Sequence, residues 1–100
     1  MSAKKTYKVF WTDEAKFDLK NIYDFYKVKS LKTAKNIIDD IRKSTHSIHF
    51  SMQSQTEPYN SKYRRIIVRH YKVLYRVMEN ELYVFGVVDT RQNPSLIADY

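Results

Sequence analysis

Hydrophobic and polar residues follow two different periods along the chain, one typical of strands and the other of helices. Residues 7–11 are mainly β-branched and aromatic and predict a first strand. Thr12 then stands at an N-cap position, with Asp13 and Glu14 in the first turn, where the helix dipole favours carboxylates. A first helix is therefore predicted, with one apolar face formed by Ala15, Leu19, Ile22, Tyr23 and Tyr26.

A second helix is predicted after a short break at residues 29–31, where Ser30 provides its N-cap. Because so few residues connect the two helices, they must fold back antiparallel as a helical hairpin. The apolar face of the second helix repeats the same spacing, with Ala34, Ile37, Ile38, Ile41, Thr45 and Ile48.

The second half of the chain has the pattern of a β-meander. Residues 51–61 are polar and turn-forming and predict a surface loop. Three β-rich segments follow at residues 63–69, 71–78 and 82–88, the last two joined by a short hairpin connection at residues 79–81. Asn93 and Pro94 end the regular structure, so a short tail to Tyr100 is expected.

The predicted order is β-α-α-β-β-β, an α+β fold in which the helical hairpin packs on one face of an antiparallel sheet. A length of 100 residues with one Gly and two Pro predicts a single domain over residues 1–100. No apolar run approaches the roughly 20 residues of a membrane-spanning helix. Residues 1–5 lack the apolar core of a signal peptide, so we expect a cytoplasmic protein without a membrane partner.

Alternation within the strands predicts which side chains share a face. Tyr71, Val73, Tyr75 and Val77 form the predicted core face of the third strand, while Lys72, Leu74, Arg76 and Met78 point the other way. In the last strand, an extended backbone would place Tyr83, Phe85, Val87, Asp89 and Arg91 on one face.

The formal net charge of +7 is concentrated in the predicted meander. Residues 61–78 contain six basic and no acidic side chains, whereas residues 79–100 carry a net charge of −3. Guanidinium groups bind phosphate and aromatic rings stack on bases, so this mixture predicts a nucleic-acid or partner surface, with a solvated basic strand as the alternative. The surface consists of Arg64, Arg65, Arg69, His70, Lys72 and Arg76, interleaved with Tyr63, Tyr71 and Tyr75.

The remaining composition argues against cofactor chemistry. The chain has no Cys and three His, and His46 and His49 lack a third ligand nearby in the sequence, so no metal site is predicted. His70 is interpreted as a hydrogen-bonded residue at the end of a strand, and this interpretation is preferred to a role as a general base. Paired carboxylates and Gly-rich loops are missing, which argues against magnesium-dependent chemistry and nucleotide binding. Any catalysis is therefore expected to be metal-free and to depend on cations.

In order and spacing, the chain resembles the RelE/ParE superfamily of toxins from type II toxin-antitoxin systems over almost its whole length. The matching segments are Asp13-Glu14-Ala15, Ile22-Tyr23-Asp24-Phe25-Tyr26, Tyr63-Arg64-Arg65-Ile66-Ile67-Val68, His70-Tyr71-Lys72-Val73-Leu74-Tyr75-Arg76-Val77 and Val87-Val88-Asp89-Thr90-Arg91-Gln92-Asn93-Pro94. The resemblance implies a growth-inhibiting toxin that is neutralised by an acidic antitoxin encoded beside it.

RelE-like members cut mRNA in the ribosomal A site without a metal, and cationic side chains stabilise the charge that develops on the phosphate. By position, the resemblance assigns this role to Arg65, Lys72 and Arg91. The chain departs from the RelE-like pattern, however. Lys72 stands where those enzymes have an Arg, Ile67 where a Lys is expected, and Gln92 where some relatives have a catalytic Tyr. No Glu is convincingly placed as a base.

The ending at residues 89–94 is more similar to the ParE side, whose characterised members poison DNA gyrase without known catalytic residues. A gyrase-directed inhibitor is therefore slightly preferred, with a ribosome-dependent mRNA endonuclease as the alternative. A basic nucleic-acid-binding module unrelated to toxicity is the third hypothesis.

Overall fold

A computed structural model describes residues 7–49 and 54–100. Its element order confirms the predicted fold class and the helical hairpin. The elements are β1 (Lys8–Trp11), α1 (Asp13–Lys27), α2 (Leu31–His46), β2 (Arg64–Val68), β3 (Tyr71–Met78), β4 (Glu81–Asp89) and a C-terminal 3₁₀ helix (Pro94–Asp99).

Both helices begin at the predicted caps. The Thr12 hydroxyl accepts a hydrogen bond from the backbone N–H of Ala15 at 3.2 Å, and the Ser30 hydroxyl accepts one from Thr33 at the same distance. These bonds satisfy N–H groups that have no partner within the helix. Thr12 also donates to the Phe85 carbonyl at 3.5 Å, which ties the start of α1 to β4.

The four strands form one sheet in the order β1-β4-β3-β2. The segment β2-β3-β4 is the predicted antiparallel meander, whereas β1 pairs with β4 in parallel, so the sheet is mixed. The helical hairpin between β1 and β2 is long enough to cross the sheet and place β1 beside the last strand. Both helices pack on the same side, and we call the opposite side the helix-free face.

A bulge in β4 overturns the predicted alternation of the last strand. Leu74 pairs with Gly86 while Tyr75 pairs with Val84, so Phe85 is an extra residue in β4. Phe85 therefore packs with the helix-free cluster, whereas Val87 lies in the core beneath the helices. The expectation that Phe85 and Val87 share one face is wrong, because the extra residue reverses the alternation after it.

The core has two parts, one on each side of the sheet. The larger part lies beneath the helices and includes Ile37, Ile41, Val73 and Tyr75. A smaller cluster on the helix-free face is formed by Tyr63, Leu74, Val88 and Ile97.

The C-terminal segment is a packed element, so the predicted tail is wrong. Asn93 caps the 3₁₀ helix by accepting from Ser95, and Ile97 is 2% exposed because it completes the helix-free cluster. The Tyr100 hydroxyl then donates to Asp18 of α1 at 2.9 Å.

The predicted loop at residues 51–61 is also more structured than expected, although residues 51–53 lie outside the described part. Thr56 forms an isolated bridge with Arg64, and the backbone N–H of Arg65 donates to Gln55 at 3.0 Å. The loop therefore runs along the outer edge of β2. Its one acidic residue, Glu57, is completely buried.

Candidate functional site

Glu57 lies at the centre of an ionic cluster on the helix-free face. The Lys72 ammonium donates to its Oε1 at 2.8 Å, and the Arg65 Nη1 lies 3.4 Å from the same oxygen. The backbone N–H of Tyr59 donates to the other carboxylate oxygen at 2.8 Å. Arg65 and Lys72, which the resemblance placed on phosphate, are therefore brought together, but an internal carboxylate occupies the space between them.

The environment of Glu57 favours its ionised form. Burial opposes ionisation, but the hydrogen bonds from Lys72 and from the Tyr59 N–H outweigh that effect and lower the pKa of Glu57. The Lys72 ammonium also lies 5.3 Å from the centre of the Tyr59 ring, a cation-π distance. Lys72 is thus held from two sides and its side chain is only 13% exposed.

Arg91 lies on the other side of the sheet. Its guanidinium donates to both carboxylate oxygens of Asp89, through Nε at 3.1 Å and Nη2 at 2.9 Å. Asp89 pairs with Tyr71, whose ring belongs to the core beneath the helices. The hydrogen bond from Arg91 lowers the pKa of Asp89. The structure therefore does not bring Arg91 into one constellation with Arg65 and Lys72.

His70 joins the group around Arg91. Its Nε2 lies 3.1 Å from Nη2 of Arg91 and 3.3 Å from the hydroxyl of Tyr26 on α1. Because a guanidinium can only donate, Nε2 must accept, which places the ring proton on Nδ1. The predicted strand-end histidine with a hydrogen bond is thus present, and its partners come from α1 and from the end of β4.

The other predicted surface residues are dispersed. Arg69 lies in the turn between β2 and β3, where its guanidinium binds Asp40 of α2 at 2.8 Å. Arg64 lies at the opposite end of the hairpin and donates to the Ser54 carbonyl at 2.6 Å. Arg76 is exposed on the helix-free face near that end. No single continuous surface is therefore formed by Arg64, Arg69, His70 and Arg76.

A groove lies beside Arg91, between α1 and the end of β4. Its volume is about 340 Å³, and its walls include Asn21, Phe25, Arg91 and Leu96. Across the described part of the chain, no three His, Asp or Glu side chains are grouped as metal ligands. None of the helices in that part is both long and apolar enough to span a membrane.

The model of the family described as the ParE toxin of the type II toxin-antitoxin system parDE matches residues 9–94. This chain belongs to the ParE toxin family. It is accordingly a toxin component of a type II toxin-antitoxin system, and its family implies an antitoxin partner.

A solved structure agrees with the ParE assignment at the level of the fold. The structure titled "Chromosomal ParDE TA system from P. aeruginosa" has a TM-score of 0.74 and 18% sequence identity, and the match covers 87% of this chain and 99% of that chain. A search of curated protein sequences gave no match. The resemblance to the RelE/ParE superfamily is therefore confirmed, and the matching family is its ParE branch.

Sequence reasoning missed Glu57 in this ParE-family toxin. Residues 51–61 were expected to be a surface loop, and no Glu was considered convincingly placed as a base. A signal was available, because Glu57 is the one acidic residue between positions 41 and 78 and immediately precedes the basic strands. A single carboxylate next to so many cations is a natural candidate for a buried ion pair.

Proposed function

We propose that this ParE-family toxin stops growth in the cytoplasm by binding DNA gyrase, and that an acidic antitoxin neutralises it. The observation that supports this proposal most is the arrangement of the three phosphate-directed cations. Arg65 and Lys72 share the buried Glu57 carboxylate, whereas Arg91 binds Asp89 on the other side of the sheet. Metal-free RNA cleavage requires cations that converge on one phosphate, and this arrangement supplies no such convergence.

One observation favours the ribonuclease as a second candidate. The Glu57 carboxylate lies within hydrogen-bonding distance of Lys72, and a carboxylate beside a cation can accept the proton of a ribose hydroxyl while the cation stabilises the phosphate. In this candidate Arg65 and Lys72 would act on phosphate and Glu57 would be the base. Because Glu57 is fully buried, the residues packed around it must move before RNA reaches it.

Two assays on the same purified toxin separate the candidates. The first measures supercoiling of relaxed plasmid by purified gyrase, and the second maps 5′ ends on a message translated in vitro. The proposal predicts loss of supercoiling with gyrase-dependent DNA breaks while the message stays intact. New codon-phased 5′ ends with unaffected gyrase would contradict it and support the ribonuclease.

The antitoxin claim has its own test. Co-expression of the protein encoded by the adjacent reading frame should restore growth, and the two proteins should co-purify as a complex. Failure of both results would count against the partner but would leave the gyrase assay as an independent measure of the target.

A further inference from the structure

The first strand leaves one edge of the sheet open within the described part of the chain. There β1 pairs with β4 alone, and the backbone N–H groups of Lys8 and Thr12 donate at 3.3 and 3.1 Å to carbonyls of β4 and of the turn before it. Successive N–H groups of a strand point to opposite sides, so those of Val9 and Trp11 point away from the sheet. Such an open edge is a template for pairing with another strand.

The side chains of β1 are also incompletely covered, on both faces of the sheet. Val9 and Trp11 pack against the core beneath the helices but stay half-buried. Phe10 points to the helix-free face and is 37% exposed. The opposite edge of the sheet differs, because residues 55–57 run along β2 and bond to it. The edge at β1 thus offers both unused backbone groups and apolar surface.

We infer that this edge pairs with the same edge of a second copy of the toxin, antiparallel about a two-fold axis at Phe10. The open groups of Val9 in one copy then pair with those of Trp11 in the other, which gives about four backbone hydrogen bonds. One continuous sheet would run through both copies, in a symmetric contact that uses the same surface twice. This inference goes beyond the proposed function and does not depend on it.

The side chains of the helix-free face favour this register. Phe10 already stacks on Tyr83, with the ring centres 5.2 Å apart and the ring planes 18° from parallel. Because Phe10 lies on the axis, it faces Phe10 of the second copy in a non-hydrogen-bonded pair, in which the Cα atoms approach to about 4.5 Å. The stacked pair thus becomes a row of rings from both copies, and the exposed surface of Phe10 is covered.

The charges at this edge are complementary to each other. In the same register Lys8 lies opposite Thr12 of the second copy, and the next two residues, Asp13 and Glu14, are exposed in the first turn of α1. None of these three charged side chains has an ion-pair partner among the described residues. Each Lys8 ammonium can therefore reach a carboxylate of the other copy. Screening at physiological salt limits the repulsion between the two net charges of +7 to a range of about 8 Å.

This complementarity is the reason for choosing a second copy as the occupant. A strand of another protein can use the same backbone groups, but the pairing of Phe10 with Phe10 and of Lys8 with a carboxylate comes from this edge alone. Because the shared edge is short, the dimer should be weak and its population should rise with toxin concentration.

Disulfide trapping tests the register directly, because the chain has no Cys of its own. Phe10→Cys places the two thiols at the axis, where a Cα separation of about 4.5 Å lies inside the range of about 4.4–6.8 Å that disulfides span. Lys8→Cys is the matched control on the same strand and face, because its two copies would lie about 14 Å apart along the strands. Ile67→Cys, exposed on β2, measures random collision.

The three variants are equilibrated in a glutathione redox buffer, and the covalent dimer is measured on a non-reducing gel. Phe10→Cys should form on the order of tenfold more dimer than either control. Equal amounts from all three variants would overturn the inference. Thermal unfolding of the reduced variants checks that each one is folded.

Sedimentation equilibrium tests the charge pairing without any Cys. Lys8→Glu should weaken self-association on the order of tenfold, because the new carboxylate faces Asp13 and Glu14 of the second copy. Lys32→Glu on α2 makes the same charge change away from β1 and should weaken it less than about threefold. Equal effects of the two substitutions would contradict the register.

Hydrogen exchange of the unmodified toxin needs no substitution. The amides of Val9 and Trp11 should become protected as the toxin concentration rises, while the rates of other exposed amides stay constant. Protection that appears only when the antitoxin is added would overturn the inference in favour of an antitoxin strand at this edge.

Discussion

At the scale of single residues, Glu57 is the centre of the ionic cluster on the helix-free face. Two ion pairs and a backbone N–H compensate the cost of burying its charge. The same contacts hold Arg65 and Lys72 away from external phosphates. One carboxylate therefore converts the two best nuclease candidates of the sequence into parts of a structural cluster.

The first prediction concerns the loss of this charge. Glu57→Gln should lower the free energy of unfolding by about 2–3 kcal/mol, because Lys72 and Arg65 are left mostly buried without a counter-charge. Urea unfolding at pH 7 measures the change. Glu79→Gln in the exposed turn after β3 is the control and should change stability by less than about 0.5 kcal/mol. An equal effect of both substitutions would show that the ion pairs of Glu57 do not stabilise the fold.

The second prediction is the pH dependence of that effect. The folded pKa of Glu57 lies below its unfolded value of about 4.3. Its ionised form therefore stabilises the fold above that value, and the stabilisation is lost as the pH falls through the folded pKa. The stability difference between the unmodified protein and Glu57→Gln should be largest near pH 7 and should shrink below about pH 4. A difference that grows on acidification would contradict the assigned ion pairs.

The third prediction concerns the tautomer of His70. Because Arg91 donates to Nε2, the neutral ring should carry its proton on Nδ1. Nitrogen-15 NMR of the imidazole above pH 8 distinguishes the two tautomers. Arg91→Ala should increase the Nε2-protonated form, since the donor is gone and the Tyr26 hydroxyl can accept. An unchanged tautomer ratio would show that the contact between Arg91 and His70 does not persist in solution.

At the scale of elements, the sequence pattern predicted the features that depend on contacts between residues close together in the chain. The helix starts followed from Thr12 and Ser30, whose hydroxyls accept the predicted backbone bonds. The apolar stripe of α2 became the buried face of that helix, with Ile37 and Ile41 almost fully covered. Such features depend on residues within a few positions of each other, which is why the sequence alone reveals them.

Features that depend on distant residues were missed. The bulge at Phe85 requires the pairing of β3 with β4, and burial of Ile97 requires the cluster on the helix-free face. The Glu57 cluster likewise joins a loop to strands that follow later in the chain. The sequence thus predicted which cations belong to the candidate site but not how they are arranged. Their arrangement depends on carboxylates that come from other parts of the fold.

The fourth prediction tests the packing of the C-terminal element. A Cβ at Gly86 would overlap the ring of Tyr100, so Gly86→Ala must displace that ring and break its bond to Asp18. The substitution should cost about 1–3 kcal/mol of unfolding free energy. In a Tyr100→Ala background the same substitution should cost less than about 0.5 kcal/mol, because nothing remains to be displaced. Equal costs in the two backgrounds in urea unfolding would contradict the contact.

At the scale of the whole molecule, pairing decides which part of the net charge a partner can use. The formal charge of +7 is concentrated in the sequence of the meander, but three of the six cations at residues 61–78 have internal ion-pair partners, because Arg65 and Lys72 bind Glu57 and Arg69 binds Asp40. Composition alone therefore does not reveal how much of this charge a partner can use.

The most direct test of the account is a supercoiling assay in which purified gyrase is titrated with this toxin. The account predicts that supercoiling falls with toxin concentration and that gyrase-dependent DNA breaks accumulate. It also predicts that Arg91→Ala retains this effect, because the proposed inhibition of gyrase does not require Arg91 to act on a phosphate. Unchanged supercoiling at a large molar excess of folded toxin would contradict the central claim.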